Sequence, residues 1–352
     1  MAFFRPTVAS MSGYVPGEQP QDRRYIKLNT NENPYPPSPR VIEALHAAIH
    51  DDLRLYPDPL ANLLRERAAA VYGLQRDNIL VGNGSDELLN LVVRACVGTG
   101  DRVVFPYPTY SLYDTLVTLQ DGEAVHIPYP DDFTLPAGLA EAGGRLTFVC
   151  HPNSPSGTPV AVSTIRELAR RVAGILVVDE AYVDFADETA LPLVNELDNV
   201  VVLRTFSKSF SLAGMRIGLA FAAPAIIGAL LKVKDSYNVS RLSIVAATAA
   251  LEDYAWMRTN VERICQTRSH LIRELRARGF SVLASQSNFV LARRRGEDME
   301  STYLVLKSKG VLIRYFPTPA LHNALRITVG TDEEVAAFLQ ALDGLKAERR
   351  NG

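Results

Sequence analysis

Seven short runs of β-branched and other apolar residues, NILVG, RVVFP, EAVHIP, RLTFVC, GILVVD, NVVVLR and RIGLAFA, succeed one another from Asn78 onward, alternating with stretches that read as helical. That alternation predicts an α/β fold in which helices wrap a central sheet. Several of the runs are apolar at every position instead of every second one. Strands with that pattern are covered on both faces, so the sheet is expected to be mainly parallel.

The texture changes after about residue 250. A long mixture of polar and apolar residues at 253–278 reads as helix, and FSVLAS, NFVLAR, VLIRYF and ALRITV follow as strand-like runs, which suits a second, smaller α+β unit. Residues 331–348 close the chain as an amphipathic helix that Thr331 or Asp332 can cap. The Pro- and Gly-rich residues 6–39 read as an extended arm. At 352 residues the chain is too long for one small core, since domains usually hold ~100–200 residues. The expected division is an N-terminal arm at 1–37, a large domain at 38–250 and a small C-terminal domain at 251–352.

Charge and composition remove several functions. Lys and Arg number 37 against 39 Asp and Glu, a net charge of −2, so no positive excess is present to neutralise nucleic-acid phosphates. The longest strongly apolar stretch, around residues 224–231, is far short of the ~20 residues of a bilayer span. The opening MAFFRPTVAS lacks the apolar region of a signal peptide. A cytoplasmic location, with no nucleic-acid or membrane partner, is the expectation. Cys96, Cys150 and Cys265 are too widely separated for a disulfide framework or a thiolate metal site. His46 and His50, four apart in ALHAAIH, could share a helix face, but no glutamate stands between them as in HExxH and no third ligand is evident. No metal is expected.

The chemistry gathers around Lys208, in LRTFSKSFSLAGMRIG, just beyond the buried run VVVL. Alone it would read as an exposed loop lysine, and its neighbours change that. Ser207 and Ser209 flank it and Arg216 follows eight residues later, so hydroxyls and a guanidinium fork can collect around one anion. Upstream, VGNGSDELL places Gly82, Gly84 and Ser85 after a strand and at a helix start, where free backbone amides favour a phosphate. Glu87 stands where GxGxxG needs its third glycine, which removes a dinucleotide fingerprint. Asp179 ends the strand ILVVD, 29 residues before Lys208, at the carboxyl edge of the sheet where α/β ligands bind. Tyr182, three residues on, can offer its phenol to the same ligand. A lysine able to bind a carbonyl, a phosphate cradle and an acid that keeps a pyridine nitrogen protonated are what pyridoxal 5′-phosphate asks for.

With LNTNENPYPPSP (28–39), YPDP (56–59), FPYPTYSLY (105–113), DEAYVDF (179–185) and ALRITVGTDEE (324–334) beside the lysine block, the chain resembles the fold-type-I aminotransferases. Among them it is similar to the histidinol-phosphate aminotransferase family, from about Tyr14 to the last helix. The resemblance implies Lys208, Asp179 and Tyr182 as the catalytic set and pyridoxal phosphate as cofactor. It implies that Tyr110 stacks on the pyridine ring, and that Ser85 and Asp86 give amides to the phosphate with help from Ser207 and Arg216. Tyr56 would reach the phosphate held by a second subunit, which implies a homodimer with composite sites. Arg314 and Arg326 lie twelve residues apart on successive strand-like runs. By resemblance Arg326 takes the substrate carboxylate, and Arg314 takes the substrate phosphate with Tyr14 near it.

The implied reaction joins L-histidinol phosphate and 2-oxoglutarate to imidazole acetol phosphate and glutamate, in histidine biosynthesis. Aromatic amino-acid aminotransferases and threonine-phosphate decarboxylases are the neighbouring activities. One motif departs from the family pattern of asparagine, proline, threonine, glycine, whose asparagine bonds the ring 3-hydroxyl. Here HPNSPSG puts Ser154 at that position and Asn153 just before it. Either Asn153 still reaches the ring or Ser154 substitutes with a shorter side chain.

Overall fold

The computed structural model describes residues 3–351. In chain order its strands are β1 (Ile26–Lys27), β2 (Ile79–Gly82), β3 (Arg102–Tyr107), β4 (Glu123–Pro128), β5 (Leu146–Cys150), β6 (Ile175–Asp179), β7 (Val200–Thr205), β8 (Gly218–Ala222), β9 (Ser281–Val282), β10 (Phe289–Arg293), β11 (Val311–Leu312), β12 (Arg314–Tyr315) and β13 (Ala324–Thr328). The seven apolar runs all become strands of one sheet, in the order β2-β8-β7-β6-β5-β3-β4.

Its pairs β7–β6, β6–β5, β5–β3 and β3–β4 are parallel, as their continuous apolar runs predict. β8 is the exception, antiparallel to both β2 and β7. The cause is the connection: the chain turns back after β7 through a loop with one short 3-10 turn, Ala213–Met215, instead of a crossing helix. That loop carries Ser207, Lys208 and Arg216.

Alternate residues of each strand enter different cores. Leu176 and Val178 of β6 belong to the apolar cluster on one face, with Val200, Val202, Leu219 and Phe221. Val177 belongs to the cluster on the other, with Phe148, Val201 and Leu203. The first cluster runs on without a break to Phe289, Val290, Leu325 and Ile327. These belong to the antiparallel sheet β12-β13-β10-β9. The two sheets thus share one continuous apolar core, whose burial contributes roughly 25 cal/mol per Å² removed from water.

The N-terminal residues are less extended than the sequence predicts. Pro6–Ser10 forms a short helix, and β1 pairs in parallel with β11, so residues 26–27 belong to a sheet with strands far along the chain. The helix Asp332–Asn351 opens on a capping box: Thr331 Oγ1 accepts from Glu334 N at 3.2 Å, and Glu334 Oε2 accepts from Thr331 N at 2.9 Å. His50 lies beyond the helix Pro39–Ala48 and does not share its face with His46. Among the described residues no helix is long and apolar enough to cross a membrane, and no group of three or more potential metal ligands occurs.

Candidate active site

A cavity of about 570 Å³ opens at the carboxyl ends of the sheet strands, in the size range of small-molecule sites. Strand direction explains what lines it. β2 releases Ser85 and Asp86, β3 releases Thr109 and Tyr110, β5 leads to Ser154, β6 ends on Asp179 with Tyr182 after it, and β7 leads to Ser207 and Lys208. From the other sheet come Arg314 and Arg326, and from the N-terminal segment Tyr14.

At one end the helix Gly84–Cys96 points its first amides into the cavity beside Arg216. Gly84 has φ +80°, and a Cβ there would meet Arg216 Nη2 at 2.6 Å; a Cβ on Gly218 would meet Ser85 N at 2.7 Å. Only glycine lets the guanidinium and this main chain approach so closely. Arg216 itself sits in left-handed backbone, φ +48°, a conformation that costs a non-glycine residue about 1–3 kcal/mol and is found where function demands it. Its Nη2 donates to Asp86 Oδ2 at 3.1 Å and its Nη1 to Ser207 Oγ at 3.5 Å. Tyr110 O–H donates to Asp86 Oδ1 at 3.0 Å, which holds the ring at the cavity wall with the Tyr14 ring edge-on to it at 5.9 Å.

At the floor Asp179 is 3% exposed. Its Oδ2 accepts from Tyr113 O–H at 2.7 Å and its Oδ1 from Ala181 N at 3.2 Å. Burial outweighs these donors and raises the acid to about 6. Tyr182, also buried, accepts from Asn31 Nδ2 at 3.0 Å, and burial pushes its phenol up to about 12. Lys208 Nζ donates to the Thr30 carbonyl at 3.2 Å. Burial, then the positive charge of Arg326, lowers its amine to about 8, so roughly a tenth is uncharged at pH 7, far more than for an ordinary lysine.

Arg314 and Arg326 stand directly opposite each other in the β12–β13 register. Cross-strand partners share a face, and like charges so placed destabilise a sheet unless an anion sits between or beside them. Arg326 donates from Nη1 to Ser154 Oγ at 3.3 Å and from Nη2 to the Asn29 carbonyl at 3.0 Å, while its buried Nε has no partner. Arg314 donates to the carbonyls of Pro16 (3.2 Å) and Val15 (3.1 Å).

One residue falls elsewhere than expected. Asn153 is fully buried behind the wall, where its amide meets Thr109 Oγ1 (2.8 Å), Ser156 Oγ (2.9 Å) and the Pro108 carbonyl (3.4 Å); Ser154 lines the cavity in its place. The hydrogen-bonding capacity of Asn153 is taken up by its own loop. Tyr56, expected to serve a second subunit, does not line this cavity; it is 76% exposed and stacked on Tyr237 at 4.3 Å.

Sequence reasoning passed over several residues of the site. Asn29, Thr30 and Asn31 line it and lie inside the motif LNTNENPYPPSP, which gave them no individual role; Asn31 adopts φ +56°, which asparagine tolerates better than other side chains. Tyr113 closes the motif FPYPTYSLY without a role of its own, and nothing in its spacing pointed to Asp179.

A family model described as aminotransferase class I and II matches residues 23–342, and the chain belongs to that family. The histidinol-phosphate aminotransferase of Citrifermentans bemidjiense is 47% identical over 344 residues, 97% of this chain and 98% of that protein. Histidinol-phosphate aminotransferase 1 of Trichormus variabilis is 46% identical over 345 residues, 97% of this chain and 99% of that one. The crystal structure of histidinol-phosphate aminotransferase from Sinorhizobium meliloti, in complex with pyridoxal-5′-phosphate, superposes with a TM-score of 0.89 at 29% identity, covering 98% of this chain and 99% of that one. The fold-type-I architecture inferred from the motifs is therefore the fold of the chain.

Proposed function

We propose that this chain is a histidinol-phosphate aminotransferase of the cytoplasm, exchanging amino and keto groups between L-histidinol phosphate and 2-oxoglutarate to give imidazole acetol phosphate and L-glutamate, a step of histidine biosynthesis. The observation that carries the reading is a single cavity in which a strand-end lysine meets two arginines set opposite each other across β12 and β13. Both substrates are anions, and both must use this space in turn.

Pyridoxal 5′-phosphate fits the residues present. The glycine-lined approach at Gly84 and Gly218, with Ser207 and Arg216, suits its phosphate. The buried acid Asp179, which lacks a cationic partner, suits its ring nitrogen, and Tyr110 suits a ring face. Tyr182 and Ser154 offer hydroxyls for the ring 3-hydroxyl. Bound there, the cofactor supplies an electron sink for the breaking of a substrate Cα–H bond. Lys208 Nζ, its pKa lowered by burial to about 8, takes that proton and gives it back. Asp179 holds the ring nitrogen protonated. Arg326 meets a carboxylate as a fork, and Arg314 meets the phosphate.

Single-turnover rates of each half-reaction test this. Histidinol phosphate and glutamate should both react, faster than phenylalanine or tyrosine. Because histidinol phosphate lacks an α-carboxylate, Arg326→Ala should slow the glutamate half-reaction by roughly ten- to a hundredfold and the other much less, while Arg314→Ala should slow the histidinol-phosphate half-reaction to that degree. Equal losses in both half-reactions for both variants would sink the division of labour. Faster aromatic turnover, or carbon dioxide release from threonine phosphate without an acceptor, would replace the substrate assignment.

The exposed Tyr56, with Leu53, Leu55, Leu60 and Leu63 exposed near it in sequence, supports a homodimer in which Tyr56 serves the other subunit's cofactor phosphate. Tyr56→Ala should weaken cofactor binding about ten- to a hundredfold. Co-expressed with a Lys208→Ala chain, it should regain activity above the sum of the two parents, because the hybrid has one site with Lys208 from one subunit and Tyr56 from the other. A monomer at working concentration would rule this out.

A further inference from the structure

Lys208 is reached by a loop, and its side chain has four rotatable bonds, so placing its amine requires the main chain beneath it to be held. One side chain outside the cavity wall holds it directly, and a second holds the side chain of the adjacent Ser209. Asn33 Nδ2 donates to the carbonyls of Lys208 (3.1 Å) and Ser209 (3.0 Å), while Asn33 Oδ1 accepts from Tyr35 N at 3.0 Å. From the short turn Val183–Phe185, Asp184 Oδ2 accepts a short hydrogen bond from Ser209 Oγ.

Asp184 is itself braced. Its Oδ1 lies 3.9 Å from Nη1 of Arg204, whose Nε donates to Glu180 Oε2 at 3.0 Å, and all three side chains are largely buried. Buried charges with both partners present are rigid, and removing one leaves the other uncompensated. The same N-terminal segment that supplies Asn33 supplies the Thr30 carbonyl that accepts from Lys208 Nζ.

We propose that Asn33 and Asp184 are positioning residues for Lys208, Asn33 gripping the main-chain carbonyls of residues 208 and 209 and Asp184 gripping the Ser209 hydroxyl, and that together they fix where the amine stands. Neither side chain lines the cavity, so neither acts on substrate. The amine they place faces Arg326, Glu32, Asp86 and Arg216 in a buried setting, and a displacement of about 1 Å in such a site can cost about a hundredfold in rate.

The inference rests on Lys208 being the reactive lysine, and the experiment separates the two. In cofactor-free protein, the pH dependence of Lys208 acetylation by acetic anhydride, read by peptide mapping, gives the pKa of the amine without any turnover. The wild type should titrate near 8. Asn33→Ala should move it at least about one unit toward the ordinary lysine value of ~10.4, and lower kcat roughly tenfold or more with KM for glutamate little changed. Asn33→Ser, which keeps one donor, should restore part of both and covers the case in which the alanine variant does not fold. Asp184→Ala and Ser209→Ala should each lower kcat, and the double variant should be no worse than the poorer single one. An unmoved Lys208 pKa in folded Asn33 variants, or additive losses at Asp184 and Ser209, would overturn the clamp. A borohydride-fixed cofactor on another lysine of the wild type would overturn the reading of Lys208, and the clamp with it.

Discussion

Lys208→Ala is expected to lower turnover by at least about a thousandfold, since a positioned acid–base group alone contributes ~10²–10⁴ and this residue also anchors the cofactor. Its side chain is partly buried and makes one hydrogen bond, to the Thr30 carbonyl, so the far-ultraviolet circular dichroism of the variant should match the wild type. Borohydride reduction of cofactor-loaded wild type should leave a pyridoxyl group on the peptide containing Lys208. A label on Lys232 or Lys234, the next lysines along the chain, would dismantle the site as described.

Asp179→Asn is the second large effect. The amide cannot hold a protonated pyridine nitrogen by charge, and losing ~1.5–3 kcal/mol of charge-assisted contact corresponds to roughly ten- to a hundredfold in turnover. Stability should move the other way. In the cofactor-free protein the acid is raised by burial to about 6, so its contribution is fully present below the ordinary carboxyl value of ~3.9 and is lost as the pH rises through 6. Cofactor-free Asp179→Asn should therefore be more stable than wild type above pH 6, by on the order of 3 kcal/mol, with the gap narrowing as the pH falls from 6 to 4. Chemical denaturation at pH 4 and 7.5, with and without cofactor, measures it. Turnover near that of the wild type would make Asp179 a structural cap.

The large sheet was legible because burial on both faces writes itself into sequence: β6 and β7 are apolar at nearly every position, and no other element needs that pattern. Lys208 and Asp179 were legible for a related reason, standing where such runs stop. The direction of β8 was not, since parallel and antiparallel central strands have the same composition and only the loop before it decides. Asn153 and Ser154 show a finer limit. Adjacent residues in a loop point apart, and which one faces the cavity depends on the hydrogen bonds of Thr109 and Ser156, contacts across 44 residues in one case. Asn33 was hidden for the same reason, its partners being main-chain atoms 175 and 176 residues away.

The route by which the N-terminal segment meets β13 bears on how the protein is made. Asn29 and Arg326 are hydrogen-bonded across 297 residues of chain, while every strand of the large sheet ends by Ala222. Domains tend to fold as they leave the ribosome, N-terminal parts first. A nascent chain can thus complete the sheet and the loop of Lys208 while residues 26–31 still wait for their partners in β11 and β13. Such a chain holds the lysine without either arginine. Both the setting that lowers the lysine's charge and the arginines that receive substrate are therefore completed last during synthesis, when the final strands emerge.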